Sequence, residues 1–242
     1  MEMGINSKRA DYEKYYGKGA STFGIIELIN NKKEILDNEI GQKINVCDLN
    51  ISWTSPIAPD YLEYFDDKFL DALGIKDYTE EKYPLSKFWP PSGPRWDALG
   101  CGNGKGFIVE AKSHIPEMFG NISEDTKPES LEIIKNSLNT VYRKIRAYGD
   151  ATPFPGDWTK VFYQYANRLA HLYYLRVLNE LDVYLVFVYF LNDPYWGINS
   201  IPSKEKWEGV ISTVKNYLGF CDYNHALSDY VIDIFIDYGK IL

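Results

Sequence analysis

The sequence predicts a mixed α/β fold in which helices cover a small β-sheet. Three observations predict it. The run VYLVFVYFL (183–191) has the continuous apolar character of a strand buried on both faces. GNGK separates RWDALGC from GFIVEAKSH, as a glycine-rich turn separates the arms of a hairpin. Segments of helical period, bounded by capping and stop residues, come before and after these strand signals.

In chain order, Ser21 or Thr22 can cap a helix over 22–38 that Gly41 ends, with Phe23, Ile26, Ile29, Ile35 and Leu36 apolar. KINVCDLNISW (43–53) alternates imperfectly and reads as a strand with an irregularity near Asp48. Residues 54–93 hold Pro56, Pro59, Pro84, Pro90 and Pro91, and read as an insertion carrying one helix, YLEYFDDKFLDALG. The hairpin follows. Residues 127–148 are helical by period, and after the break ATPFPGD, Asp157 can cap a long helix over 157–181. The strand 183–191 comes next, then a helix from Ser203 to Gly219, then a last strand marked by Val231, Ile234 and Ile236. The whole, 1–242, fits one domain with the insertion at 54–93.

Composition sets limits on function. A hydrophobic share of 45% supplies a substantial core, and no apolar run approaches the roughly 18 residues of a membrane-spanning helix. The N-terminal stretch MEMGINSKRADYEKYY is charged and lacks the apolar segment of a signal peptide, and Cys47, Cys101 and Cys221 form no CxxC pair. A cytoplasmic, reduced setting without a membrane is therefore expected. The net charge of −8 opposes broad attachment to phosphates but leaves room for a local basic groove, for which Lys87, Arg95, Lys105 and Arg168 are the candidates. GNGKG lacks the spacing of a phosphate-binding P-loop, and no helix-turn-helix or zinc finger is evident.

The hairpin carries the chemistry. A GNGK turn sets Asp97 opposite Glu110 and Arg95 opposite Lys112. Because side chains alternate along a strand, Glu110 and Lys112 share a face with Asp97, while Val109 and Ala111 take the other. Two carboxylates placed opposite repel unless a cation lies between them, and hard oxygen donors favour Mg²⁺ or Mn²⁺. The Ala111 carbonyl could add a ligand. Lys112 could orient an attacking water and stabilise charge developing on phosphorus.

Asp97, the glycine turn and Glu110-Ala111-Lys112 resemble the PD-(D/E)xK nuclease superfamily, the restriction-endonuclease-like fold, over about residues 21–193. Trp96, where many members have Pro, is one departure. The resemblance implies a mixed sheet flanked by helices and a divalent-metal-dependent nuclease, with Asp97, Glu110 and Lys112 catalytic and with Asp97, Glu110 and the Ala111 carbonyl on the metal. A first-helix Glu often assists in that superfamily, which points to Glu27, with Glu34 and Glu63 as weaker alternatives. Polar residues of the helix after the hairpin serve there too. Gln164, Asn167, Arg168 and His171 share a helix face here, with Gln164 and Arg168 expected on phosphate or metal-bound water. Arg95 and His114 are further phosphate-contact candidates, and Glu117 could support Lys112 or His114. Nucleic acid is the implied partner, with DNA the expected polymer, and a homodimer would suit cleavage of a duplex. The competing expectations are a non-catalytic nucleic-acid- or protein-binding module that keeps the fold, and a hydrolase of another phosphate ester.

Overall fold

The computed structural model describes residues 21–145, 156–220 and 225–242. Its centre is a five-stranded mixed sheet in the order β1-β2-β3-β4-β5: β1 (Ser52–Ser55), β2 (Ala98–Gly102), β3 (Lys105–Lys112), β4 (Val183–Leu191) and β5 (Val231–Asp237). The first three strands run antiparallel to one another, while β4 runs parallel to β3 and β5 parallel to β4. Seven helices are named here: α1 (Ser21–Asn31), α2 (Lys33–Ile44), α3 (Lys68–Ala72), α4 (Lys76–Lys82), α5 (Pro128–Ile145), α6 (Tyr163–Tyr173) and α7 (Lys204–Tyr217).

Helices cover both faces of the sheet, which is what the unbroken apolar sequence of β4 requires. On one face, Ile25, Leu28, Leu36 and Ile40 of α1 and α2 meet Phe107, Val109, Ala111, Val186, Val188 and Phe190. On the other, residues of α5, α6 and α7 bury Leu99, Ile108, Leu185, Phe187 and Tyr189. Strand alternation sends Glu110 and Lys112 to this second face, the same side as Ile108.

The expected 22–38 helix is two helices, interrupted at Lys32, whose backbone leaves the helical region (φ −141°). The expected 43–53 strand contracts to Ser52–Ser55. Its first part is displaced because α2 runs on to Ile44 and because Asn45 and Asp48 take positive φ angles of 55° and 54°. Buried Asp37 then accepts the Ile51 amide (3.1 Å) and the Trp53 indole N–H (2.9 Å), tying α2 to the strand's entry. Within 54–93 the single expected helix becomes the short α3 followed by α4. The expected 157–181 helix starts only at Tyr163, because Asp157 bonds Thr159 through both its amide and its hydroxyl rather than capping a helix. It ends in a π-helical turn, Tyr174–Leu178. The 183–191 strand has the expected bounds. Residues 146–148 of the expected 127–148 helix, most of the 151–157 break, and Cys221 lie outside the described residues.

The hairpin turn is the pair Asn103-Gly104, with φ 51° and 72°. Positive φ at both central residues is the geometry that matches strand twist in a two-residue hairpin. It sets the register from Gly102 opposite Lys105 to Ala98 opposite Val109. Among the described residues, no helix is long and apolar enough to cross a membrane.

Candidate active site

Pairing between β2 and β3 stops one residue short of Asp97. The Asp97 amide still donates to the Val109 carbonyl (3.1 Å), so the ladder is irregular there and does not set Asp97 squarely opposite Glu110. The Asp97 side chain bridges the gap, its Oδ2 accepting the Ala111 amide at 2.7 Å. A carboxylate thus takes the donor that a further ladder residue would have taken.

Glu110 lies at the centre, with its side chain 4% exposed. Oε1 accepts from Lys112 Nζ at 2.5 Å. Oε2 accepts from Arg168 Nε at 2.6 Å, with Arg168 Nη2 also 2.6 Å away. Lys112 Nζ donates in addition to Gln164 Oε1 (2.9 Å), and Arg168 Nη2 to the Arg95 carbonyl (2.8 Å). The Arg168 guanidinium lies over the Trp96 ring, 4.9 Å from its centroid. Gln164 and Arg168, one helical turn apart, therefore reach the β3 carboxylate–lysine pair from the same face of α6.

The two acids divide the protonation between them. Burial pushes the Asp97 carboxyl up, and the charge of Glu110 pushes it further, with a smaller push from Glu63. Lys112 and the Ala111 amide oppose this, and the outcome is about 8. Burial alone would also raise Glu110, but the charges and hydrogen bonds of Arg168 and Lys112 outweigh it and hold its carboxyl below the ordinary value. Asp97 therefore holds its proton more readily than Glu110, whose carboxylate is balanced by Lys112 and Arg168.

The remaining expected residues divide. Arg95 reaches the cluster only through its carbonyl; its side chain lies over the Phe65 ring, 4.5 Å from the centroid. Glu27, on the flank of α1, accepts from Asn31 (2.7 Å), and α1 covers the sheet face opposite Glu110. His114 stacks on Trp196 just beyond β3. Glu117 accepts the Ser113 amide at 3.2 Å, and burial raises its carboxyl. His171 separates from Gln164 and Arg168: it is fully buried among Phe69, Phe88, Trp89 and Trp96, with Nδ1 3.0 Å from the Asn167 carbonyl. Burial lowers its pKa to about 3, which makes it a neutral core residue. Lys105 bonds Asp182 (2.6 Å) at the turn end of β3, roughly 23 Å from Lys112 at about 3.3 Å per strand residue. Of the residues expected to form a basic groove, Arg168 lies in the site, while the Arg95 side chain turns to Phe65 and Lys105 sits at the far end of β3.

Glu63 stands closer to the chemistry than its ranking in the sequence suggested. Tyr64 forms an isolated antiparallel bridge with Trp96, and that register sets Glu63 beside Asp97. No spacing rule joins residues this far apart in the chain; only the path of 61–66 alongside the hairpin brings them together. Among the described residues, no three His, Cys, Asp or Glu side chains gather closely enough to hold a metal ion. Asp97 and Glu110 are hard-oxygen donors, as is the Ala111 carbonyl expected to join them, although Lys112 and Arg168 engage both Glu110 oxygens. They fit Mg²⁺ or Mn²⁺ in kind, with water or phosphate completing the shell.

No protein-family model, curated protein or solved structure matches the chain.

Proposed function

We propose that this chain is a divalent-metal-dependent nuclease of the restriction-endonuclease-like kind, hydrolysing phosphodiester bonds at the Asp97–Glu110–Lys112 cluster. The observation that carries this reading is the convergence of Glu110, Lys112, Gln164 and Arg168 on one face of β3, beside Asp97, whose Oδ2 takes the Ala111 amide. Asp97, Glu110 and the Ala111 carbonyl would hold Mg²⁺ or Mn²⁺. When bound, the metal supplies Lewis acidity toward a phosphoryl oxygen and lowers the pKa of water. Lys112, oriented by Gln164, holds its ammonium protons toward the reacting phosphate and neutralises charge that builds there. Arg168, planar and backed by Trp96 and the Arg95 carbonyl, can turn part of its guanidinium from Glu110 to phosphate oxygens.

A second reading has its own support. Both oxygens of Glu110 are engaged by Lys112 and Arg168, an arrangement that balances the carboxylate without a metal. That favours a non-catalytic binding module. Calorimetry with Mn²⁺ and Mg²⁺, paired with cleavage of single- and double-stranded DNA and RNA, separates the two. The nuclease reading expects metal binding that Asp97→Ala and Glu110→Ala abolish, and a cleavage rate that Lys112→Ala lowers by about 100-fold or more. A wild-type chain that neither binds metal nor cuts any of these polymers would transfer the assignment to the binding module.

A further inference from the structure

Beside the cluster lies an aromatic group that the proposed chemistry does not use. β3 and β4 are parallel, with Lys112 paired to Tyr189, so both end on the same side of the sheet. Crevices outside the carboxyl ends of parallel strands are where ligands of α/β sheets bind. Just past these ends, the His114 ring lies on the Trp196 indole with centroids 4.0 Å apart and planes 9° from parallel. Tyr195 meets the same indole edge-on at 4.9 Å and 87°, and is 49% exposed.

Buried groups hold this half-exposed stack in place. Trp196 Nε1 donates to Ser113 Oγ at 2.8 Å, and Ser113 Oγ donates to Asp193 Oδ2 at 2.6 Å. Ser113 and Asp193 are both fully buried. The other oxygen of Asp193 accepts the Tyr195 amide at 3.0 Å. Burying a carboxylate is costly, and this one holds the Tyr195 amide with one oxygen and, through Ser113, the Trp196 indole with the other. With its indole N–H already bonded to Ser113, Trp196 meets a partner through its ring rather than through that donor. His114 follows Lys112 by two residues, roughly 6–7 Å along the chain.

We propose that His114, Tyr195 and Trp196 form a stacking platform for an unpaired nucleobase, so that the polymer engaged at the neighbouring cluster is single-stranded. The inference rests on the reading of that cluster as a phosphodiester site and names its substrate class. Bases paired within a duplex already stack on one another and offer no free face, whereas an unpaired base continues the His114–Trp196 stack in any sequence.

The test is fluorescence anisotropy of labelled oligonucleotides, deoxyribo- and ribo-, single-stranded and duplex, with the full chain in a chelator so that nothing is cut. The single strand is expected to bind at least about tenfold more tightly than its duplex. Trp196→Ala should lose roughly tenfold in affinity, while Trp196→Phe, which keeps a ring, should stay near wild type. Comparing the two sugars tells which polymer is preferred. If Trp196→Ala fails to fold, Tyr195→Ala and His114→Ala decide by the same readout. Equal affinity for single strand and duplex, or wild-type affinity in the alanine variants, overturns the platform. The outcome is separable from that of the cleavage assay. Single-strand binding that depends on Trp196 without any metal-dependent cutting removes the nuclease reading and leaves the platform. Cutting without single-strand preference does the reverse.

Discussion

Asp97 and Glu110 are chemically alike, yet their surroundings drive them apart: one is raised to about 8, the other is held low by Arg168 and Lys112. That division has a measurable consequence for stability. The folded-state value of Asp97 lies above its ordinary 3.8, so the stability linked to its proton is complete below 3.8 and is lost as pH rises through about 8. Asp97→Asn should flatten this decline and leave the variant more stable than wild type at the alkaline end. The slope removed is at most about 1.4 kcal/mol per pH unit. Urea denaturation across that interval measures it, and parallel pH profiles for the two proteins would contradict the assignment. Other site residues show how far residue type could be read in advance. Glu110, Lys112, Gln164 and Arg168 were nameable from strand alternation and helical spacing, because both are periods of the chain itself. The direction of the Arg95 side chain and the place of Glu63, a weaker candidate in the sequence, were not legible, since they depend on Phe65 and on the Tyr64–Trp96 bridge.

At the scale of elements, α1 lies on the sheet through Gly24. A Cβ built there would come within 2.5 Å of the Phe190 ring, which is fully buried and has no free end to swing away. Gly→Ala within a helix ordinarily stabilises by up to about 1 kcal/mol. Here Gly24→Ala should instead destabilise by about 1–3 kcal/mol through overpacking, read as a lower denaturation midpoint. A neutral or stabilising result would mean that α1 seats farther from β4 than the structure has it. The hairpin and β4 were legible because turn chemistry and a continuous apolar run are local signals. The short β1 and the break at Lys32 were not. β1 is short because α2 runs on to Ile44 and Asp37 takes the Ile51 amide, a contact between separate elements.

Across the whole molecule, the two buried histidines make the fold sensitive to acid. Burial lowers His171 to about 3 and His225 to about 4, from an ordinary 6.5. Unfolding lets both rings take up protons, so the stability they contribute is present above 6.5 and is lost as pH falls through the folded values. His171→Leu, which keeps an apolar side chain within the Phe69, Phe88, Trp89 and Trp96 cage, should reduce the loss of stability between pH 6.5 and about 4, as followed by denaturant titration. An unchanged profile would show that His171 is not held neutral in the fold. This opposes the Asp97 effect, so the two variants should tilt the pH–stability curve in opposite directions.

The sequence by itself determined the mixed α/β class, the hairpin register, the buried central strand and the shared face of Glu110 and Lys112. Each follows from periods of two or 3.6 residues, or from a turn that needs positive φ, and those are properties of neighbouring residues. Only the tertiary structure decided that Arg168 and Lys112 share one carboxylate, that Glu63 stands beside Asp97, that His171 belongs to the core, and that a buried Asp193–Ser113 pair holds the Trp196 stack. These are meetings of segments far apart in the chain. Burial and charge compensation at such meetings depend on packing, which no local pattern encodes.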